Sequence, residues 1–327
     1  SISIERPFTY TLCMPPAHAP TSFSPVRSWL PPWCLHTCVR AVLWRSTVGM
    51  ALTEPQRWGH YPAGPVCTIS VLFRGSIDAL AAGVGCEPMA ASEPVPSFSV
   101  MGPHSAPRSA FYGPEAEGLM VILYPDAFWA LTGLEPQTLS DQIVDAYEVL
   151  PPDVLAAHQR LNDPVDVDRR VERLLSDLLQ IWQQRSLNSR DHTGSPGGWG
   201  QNLAPWMEAL ALRAAATGWG RSLRQSERRI KQWTGWSLRK LQGSVRGEAA
   251  FFAVMEAILE DRLDWTQIAL DNGFSDQSHF IRETRRITGF SPEVLRHGVW
   301  HEEAFWVYRA WAQLAGYEVP FTVAETP

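Results

Sequence analysis

The chain contains only two lysines, Lys231 and Lys240, and neither follows a glycine, so it has no phosphate-binding Gly-Lys-Ser/Thr loop. Its nine histidines include no His-x-His pair, which argues against an enzyme that holds its metal through such a pair. A G-x-S-x-G elbow and an H-E-x-x-H helix are also missing. No catalytic residue, cofactor or resident metal is therefore expected. The five cysteines, Cys13, Cys34, Cys38, Cys67 and Cys86, are odd in number and irregularly spaced, unlike a secreted disulfide framework. Cys34, His36 and Cys38 form only a fragment of a zinc site; unrelated buried thiols are the commoner reason for such a cluster, with metal or redox sensing as the alternative. No apolar run approaches the roughly 18 residues of a membrane span, and the first residues lack a charged-then-apolar leader. The expected location is the cytoplasm, with no membrane partner.

The 327 residues are 45% hydrophobic and 19% charged, as in an ordinary globular protein long enough for two cores. The net charge of −6 says nothing for nucleic acid, but the charge is unevenly spread. Residues 201–300 hold 14 Lys and Arg against 11 Asp and Glu, whereas residues 1–200 hold 13 against 19. From Arg213 to Arg246 nine basic residues face only Glu227. A basic patch on an acidic protein is the footprint of a DNA-binding module.

Along the chain, prolines up to Pro32 forbid long helices, leaving an arm or an extended edge. Short runs rich in Val, Ile and Phe follow: CTISVLFRG (67–75), FSVMG (98–102) and GLMVILYP (118–125). They read as strands of a small β-sandwich or barrel. Short helices are expected at Asp126 to Leu131, Leu139 to Tyr147 and Pro152 to Leu161. A longer one from Val167 to Trp182 carries a Val171, Leu174, Leu175, Leu178, Ile181 and Trp182 stripe. Such a stripe is usually core, with a dimer face as the alternative. Residues 186–200 are polar and rich in Gly and Pro, as in a linker. The division is thus 1–185, a β-rich sensor or dimerisation domain with C-terminal helices; 186–200, a linker; 201–299, a helical domain; and 300–327, an aromatic-rich helical extension packing back on the protein.

The helical domain is organised around Asp264 to Arg296. Asp264 is placed to cap one helix, with Gln267 in capping-box position, and Asn272-Gly273 ends it. Ser275 is expected to cap a second helix that carries Phe280 inward and stops at Thr288-Gly289, and Ser291-Pro292-Glu293 starts a third. This is a helix-turn-helix pattern, although a surface helical hairpin would look the same locally. Upstream, RSLRQSERRIKQWTGWSL (221–238) repeats the capping Ser, the polar-basic helix and the Thr-Gly stop, with Ser222 in the place of Ser275. A helix from Pro205 to Ala216, with Gly218 and Gly220 in the turn, would precede it. A long helix, Glu248 to Arg262, would join the two units.

The IAL-x-x-GFS-D-Q-SHF-x-R run and the TG-x-SP ending closely resemble the second helix-turn-helix of AraC-type transcription regulators. Thr284, Ser226 and Ile230 depart from that pattern, and looser packing is expected at Thr284. The order HYPAGPVCTISVLFRG, VMGPHSAP, LMVILYPDAFWALTG more weakly resembles the cupin-like domain that precedes such modules. The resemblance implies an α+β protein of two domains, β-rich and then all-α, in which two helix-turn-helix units enter successive major-groove segments.

On that reading the base-contacting residues are Arg224, Gln225, Glu227 and Arg228 in the first unit, and Gln277, Ser278, His279, Ile281 and Arg282 in the second. Arg suits guanine, Gln adenine, and Ile281 a thymine methyl. Arg229, Lys231, Arg239, Lys240, Arg285 and Arg286 suit phosphates. The expected partners are double-stranded operator DNA, a small-molecule effector at the N-terminal domain and RNA polymerase, for a monomer or homodimer. The alternative is a small-molecule-binding β-domain whose helical C-terminus makes protein contacts.

Overall fold

The computed structural model describes residues 23–80, 92–162, 166–188, 202–216 and 223–319. The linker expectation for 186–200 falls almost wholly outside these residues, as do Cys13, Cys86, Ser222, Gly218 and Gly220. The apolar runs become strands because alternate residues can be buried on one face. They are β1 (Val26–Trp29), β2 (Val39–Ser46), β3 (Trp58–Tyr61), β4 (Cys67–Arg74) and β5 (Ile77–Leu80). The series continues with β6 (Ser92–Pro94), β7 (Phe98–Met101), β8 (Arg108–Tyr112), β9 (Glu117–Leu123) and β10 (Ile143–Asp145). One antiparallel sheet has the order β1-β2-β9-β4-β7-β10 and the other β3-β8-β5-β6. The extended edge expected near the N-terminus is β1.

Central strand β4 shows the division of labour. Cys67, Ile69 and Val71 join the main core, whereas Thr68, Ser70 and Leu72 line a cavity of ≈ 120 Å³ between the sheets. That core is closed by α1 (Pro125–Thr132), α2 (Ala146–Val149), α3 (Pro152–Gln159) and α4 (Val167–Asn188). The whole apolar stripe of α4, from Val171 to Trp182, is buried in it, so core packing is the reading that holds.

Residues 139–147 are not the expected helix. A 3-10 turn at Pro136–Leu139 leads into β10, and α2 is a single turn capped by the Asp145 side chain. Pairing of Ile143, Val144 and Asp145 with Met101, Val100 and Ser99 overrides the local helical spacing.

Among the described residues, seven α-helices follow: α5 (Leu203–Ala216), α6 (Leu223–Thr234), α7 (Leu238–Leu259), α8 (Trp265–Asp271), α9 (Gln277–Thr288), α10 (Pro292–His301) and α11 (Trp306–Leu314). The connecting helix α7 begins ten residues before the expected Glu248, capped by Ser237. The main core runs on into the first unit, taking in Trp206, Leu210, Ile230 and Leu241. The second unit builds its own core around Met255, Phe274, Phe280 and Phe290, which also holds Trp58 and Phe111 of the smaller sheet. As expected, the C-terminal extension packs back, with α11 against β1 and β3.

Charged groups stitch the β-rich and helical regions together. Asp126 accepts from Trp206 Nε1 at 2.8 Å and pairs with Arg213. Glu248 pairs with Arg40 and accepts the Leu203 backbone N–H at 2.6 Å. Buried Glu303 gathers Ser24, Arg45 and Arg309. Apart from the local Glu303–Arg309 contact, these pairs join residues far apart in sequence and so report on docking rather than on local helix stability.

Candidate nucleic-acid interface

The second unit is built as its sequence directs, with two local corrections. Asp264 accepts from the backbone N–H groups of Thr266 and Gln267, but the Gln267 side chain turns to Asp271 at 2.6 Å, so no capping box closes. The cap of α9 is Asp276, which accepts from His279 N at 2.7 Å, while the Ser275 hydroxyl donates to Asp276. The carboxylate wins because a charged acceptor also complements the positive end of the helix dipole. That N–H bond, then the Ser275 bond, holds the Asp276 carboxyl below its ordinary range.

Helices α6 and α9 end in one shared device. The Thr234 hydroxyl donates to Ile230 O at 2.7 Å and accepts from Trp236 N at 3.1 Å. The Thr288 hydroxyl donates to Thr284 O at 2.8 Å and accepts from Phe290 N at 3.1 Å. Gly235 and Gly289 supply the left-handed conformation at φ +75° and +83°. The next helix then starts on a serine, Ser237 or Ser291, in each unit. The sequence repeat is therefore a structural repeat.

The inner faces of the two units differ by one turn. Ile230 is buried in the first, in register with Thr284, and Phe280 is buried in the second, in register with Ser226. Ser226 instead donates its hydroxyl to Ala214 O at 3.2 Å. Thr284 lines a small cavity of ≈ 30 Å³ with Phe251, Val254, Phe274 and Leu295, which is the looseness its sequence implies. Thr284→Leu should fill it and raise the free energy of unfolding by about 1 kcal/mol. An unchanged or lower urea midpoint would show that the space is already closed in solution.

Among the proposed base-contacting residues, Arg224, Gln225, Glu227, Arg228, Gln277, Ser278 and Arg282 are exposed, and His279 and Ile281 are half-buried. His279 Nδ1 lies 3.2 Å from the Ser275 hydroxyl, and its ring packs on Phe274. Arg228 and Arg282 occupy matched places six residues before the terminal threonines, and no ion pair engages either among the described residues.

The residues proposed for phosphates divide. Lys231, Arg239 and Arg285 are exposed. Arg229 donates to Ala214 O at 2.9 Å, tying α6 to α5. Arg286 is held by Glu283 at 2.8 and 2.9 Å. Lys240 sits 3.8 Å over the Trp236 ring, and burial lowers its pKa. These three have structural occupations that sequence reading did not reveal. Of the thiols, Cys34 is exposed, whereas burial pushes the Cys38 thiol well up. His36 stacks on Trp33. Among the described residues, no group of three or more His, Cys, Asp or Glu is placed to hold a metal ion, and no helix is long and apolar enough to cross a membrane.

A β-rich region of two antiparallel sheets followed by a duplicated helix-turn-helix defines a class, the two-part DNA-binding regulators. Residues 215–298 match the helix-turn-helix domain family. No curated protein matches the sequence. Among solved structures, the chain is similar to a variant of ToxT from Vibrio cholerae in its apo form, with 13% identity, coverage of 77% of this chain and 96% of that one, and a TM-score of 0.37. It is also similar to ToxT with an unsaturated fatty acid bound, with 13% identity, 86% and 96% coverage, and a TM-score of 0.34.

Proposed function

We propose that the protein is a sequence-specific transcription regulator that reads two adjacent major-groove segments of duplex DNA through α6 and α9. The observation that carries this reading is the repeated helix-Thr-Gly stop followed by a serine cap, with Arg228 and Arg282 exposed at matched places. Two such helices, fixed to one connecting helix, can present their N-terminal halves to successive groove segments on one side of the duplex. Arg224, Gln225, Glu227, Gln277, Ser278, His279 and Ile281 complete the proposed reading faces. Lys231, Arg239 and Arg285 supply the free positive charge for phosphates.

The ≈ 120 Å³ cavity between the sheets is the proposed effector site. Its walls are mostly apolar, including Leu43, Leu72, Ile77, Met120, Tyr112 and Trp306. Because Trp306 belongs to α11, an occupant there would touch the helical region as well as the sheets.

The test is selection of bound duplexes from a random pool at two salt concentrations. Enrichment of two short motifs about one helical turn apart is expected. Arg228→Ala and Arg282→Ala should each cost about 1–3 kcal/mol on the selected site and relax preference at one base position. Arg285→Ala should weaken every duplex alike and lower the salt slope by about 0.9. Folded protein that binds no duplex at either salt would return the helical region to the protein-contact reading.

A further inference from the structure

A second cavity, of ≈ 130 Å³, lies where the β-rich and helical regions meet. It is walled by the 61–66 segment and by Thr68, Met101 and Met120 of the sheets, by Gly247 and Phe251 of α7, by Ile287 and Thr288 of α9, and by Tyr308 of α11. At on the order of 10–15 Å³ for one water, this space admits a molecule of roughly one substituted ring. Two features of its wall are not explained by packing. The Tyr308 hydroxyl and the Thr68 hydroxyl are buried and have no hydrogen-bond partner, although each residue is only 3% exposed. Buried hydroxyls are normally satisfied, so two orphans on one cavity point to a missing polar partner.

The charge in the wall narrows its chemistry. Arg40 is the cation of the lining set, and it is already paired with Glu248, which also takes the Leu203 N–H. His104 is buried, bonds Pro62 O through Nε2 at 2.8 Å, and is held down to about 4, first by burial and then by Arg108. A carboxylate entering here would find no uncommitted positive charge. A neutral molecule with a hydroxyl or carbonyl would find two free hydroxyls.

We infer that this interdomain cavity is a binding site for a neutral, largely apolar small molecule that hydrogen-bonds Tyr308 and Thr68, the latter on the wall it shares with the adjoining cavity between the sheets. The site is placed to act on DNA binding. The Ala63 N–H donates to Ile287 O, in the last turn of α9, at 2.7 Å, and Ala63, Ile287 and Thr288 all line the cavity. An occupant therefore touches the seam between the β-rich region and the second recognition helix. This coupling, though not the site, rests on the DNA-binding reading.

The experiment titrates the full chain calorimetrically with 4-methylphenol, with p-xylene as the isostere lacking the hydroxyl and with 4-methylbenzoate as the anion. Wild-type protein should bind 4-methylphenol at least about fivefold tighter than p-xylene, with 4-methylbenzoate weakest. Tyr308→Phe should weaken 4-methylphenol about five- to tenfold, leave p-xylene within about twofold, and keep or raise the melting temperature, because an unpaired hydroxyl is removed. Tyr308 lines this cavity and not the other, so its effect locates the ligand. The proposal fails if wild type binds none of the three, if Tyr308→Phe binds 4-methylphenol as wild type does, or if the anion binds best. With a selected duplex, saturating 4-methylphenol should shift Kd at least about threefold in wild type, and this shift should be lost in Tyr308→Phe. Ligand binding through Tyr308 with an unmoved duplex Kd overturns the coupling. A protein that binds no duplex fails the DNA reading, while the titration still decides the site.

Discussion

Glu303→Ala should lower the free energy of unfolding by about 3–5 kcal/mol, the usual cost of breaking a buried ion pair from one side. The Glu303 side chain is 1% exposed and those of Arg45 and Arg309 are 6% and 0%. Its carboxylate accepts from Arg45 Nη2 at 2.7 Å and from the Ser24 N–H at 3.0 Å, and lies 3.6 Å from Arg309 Nη2. Arg309 also donates to the carbonyls of Val299, Glu302 and Glu303, and burial holds it down to about 10. Deleting the carboxylate would strand two guanidinium groups among Tyr112, Trp306 and Phe23, whose rings they face. Glu303→Gln keeps an acceptor and should cost less. Urea unfolding monitored by tryptophan fluorescence measures both, and a loss under about 1 kcal/mol for Glu303→Ala would mean that the cluster is hydrated in solution.

The second large effect is acid lability well above the carboxylate range. His60 is buried between Phe290 and Phe305, with Nδ1 2.8 Å from the Ser109 hydroxyl, and burial holds it down to about 3. His104 is held down to about 4. In the unfolded chain both protonate near pH 6.5. Between those values the unfolded state carries more protons, so stability is complete above about pH 6.5 and falls as the pH drops toward 3–4. From pH 7 to pH 5 each histidine should cost about 2 kcal/mol, or about 4 kcal/mol together. Urea midpoints at the two pH values test this, with His104→Gln expected to remove about half of the slope. Equal midpoints would show that both rings protonate freely in the folded protein. Because His60 packs against Phe290, at the end of the second unit, acid should loosen the seam beside α9 as well as the sheet.

Much of this architecture could be read from local pattern, and the failures share a cause. β4, β7 and β9 were legible as short branched and aromatic runs, and both helix-turn-helix units from their stops. Thr284 was legible as a weak point because an apolar face there lacks an apolar residue. Residues 139–147 misled because Leu139, Ile143, Val144 and Tyr147 fit a helix as well as a strand, and only pairing with β7 decides. The early start of α7 was hidden because Gly243 and Gly247 interrupt its apolar stripe. Gly247 is small for a tertiary reason, since a Cβ there would meet Ile287 Cδ1 at 2.4 Å. The Glu303 cluster was invisible for the same reason. Its partner Ser24 lies 279 residues away, and nothing in WHEEAFWVYRAWAQLAGY marks one acid and one arginine as buried. On the proposed DNA face, the residues already occupied, Arg229, Arg286 and Lys240, could be told from the free ones only by where their neighbours fold.

The matched Thr-Gly stops have an evolutionary consequence. Each unit secures the end of its helix with one hydroxyl, one glycine and one inward side chain, and both set the large inner residue independently, Ile230 in one and Phe280 in the other. The scaffold demands little of the outward positions, so substitutions at Arg224 or Gln225 need not be matched at Ser278 or His279. On the proposed reading of DNA by α6 and α9, the two half-operators can thus drift separately, and a lineage can acquire a new promoter by changing one copy while the other keeps the protein on its old site.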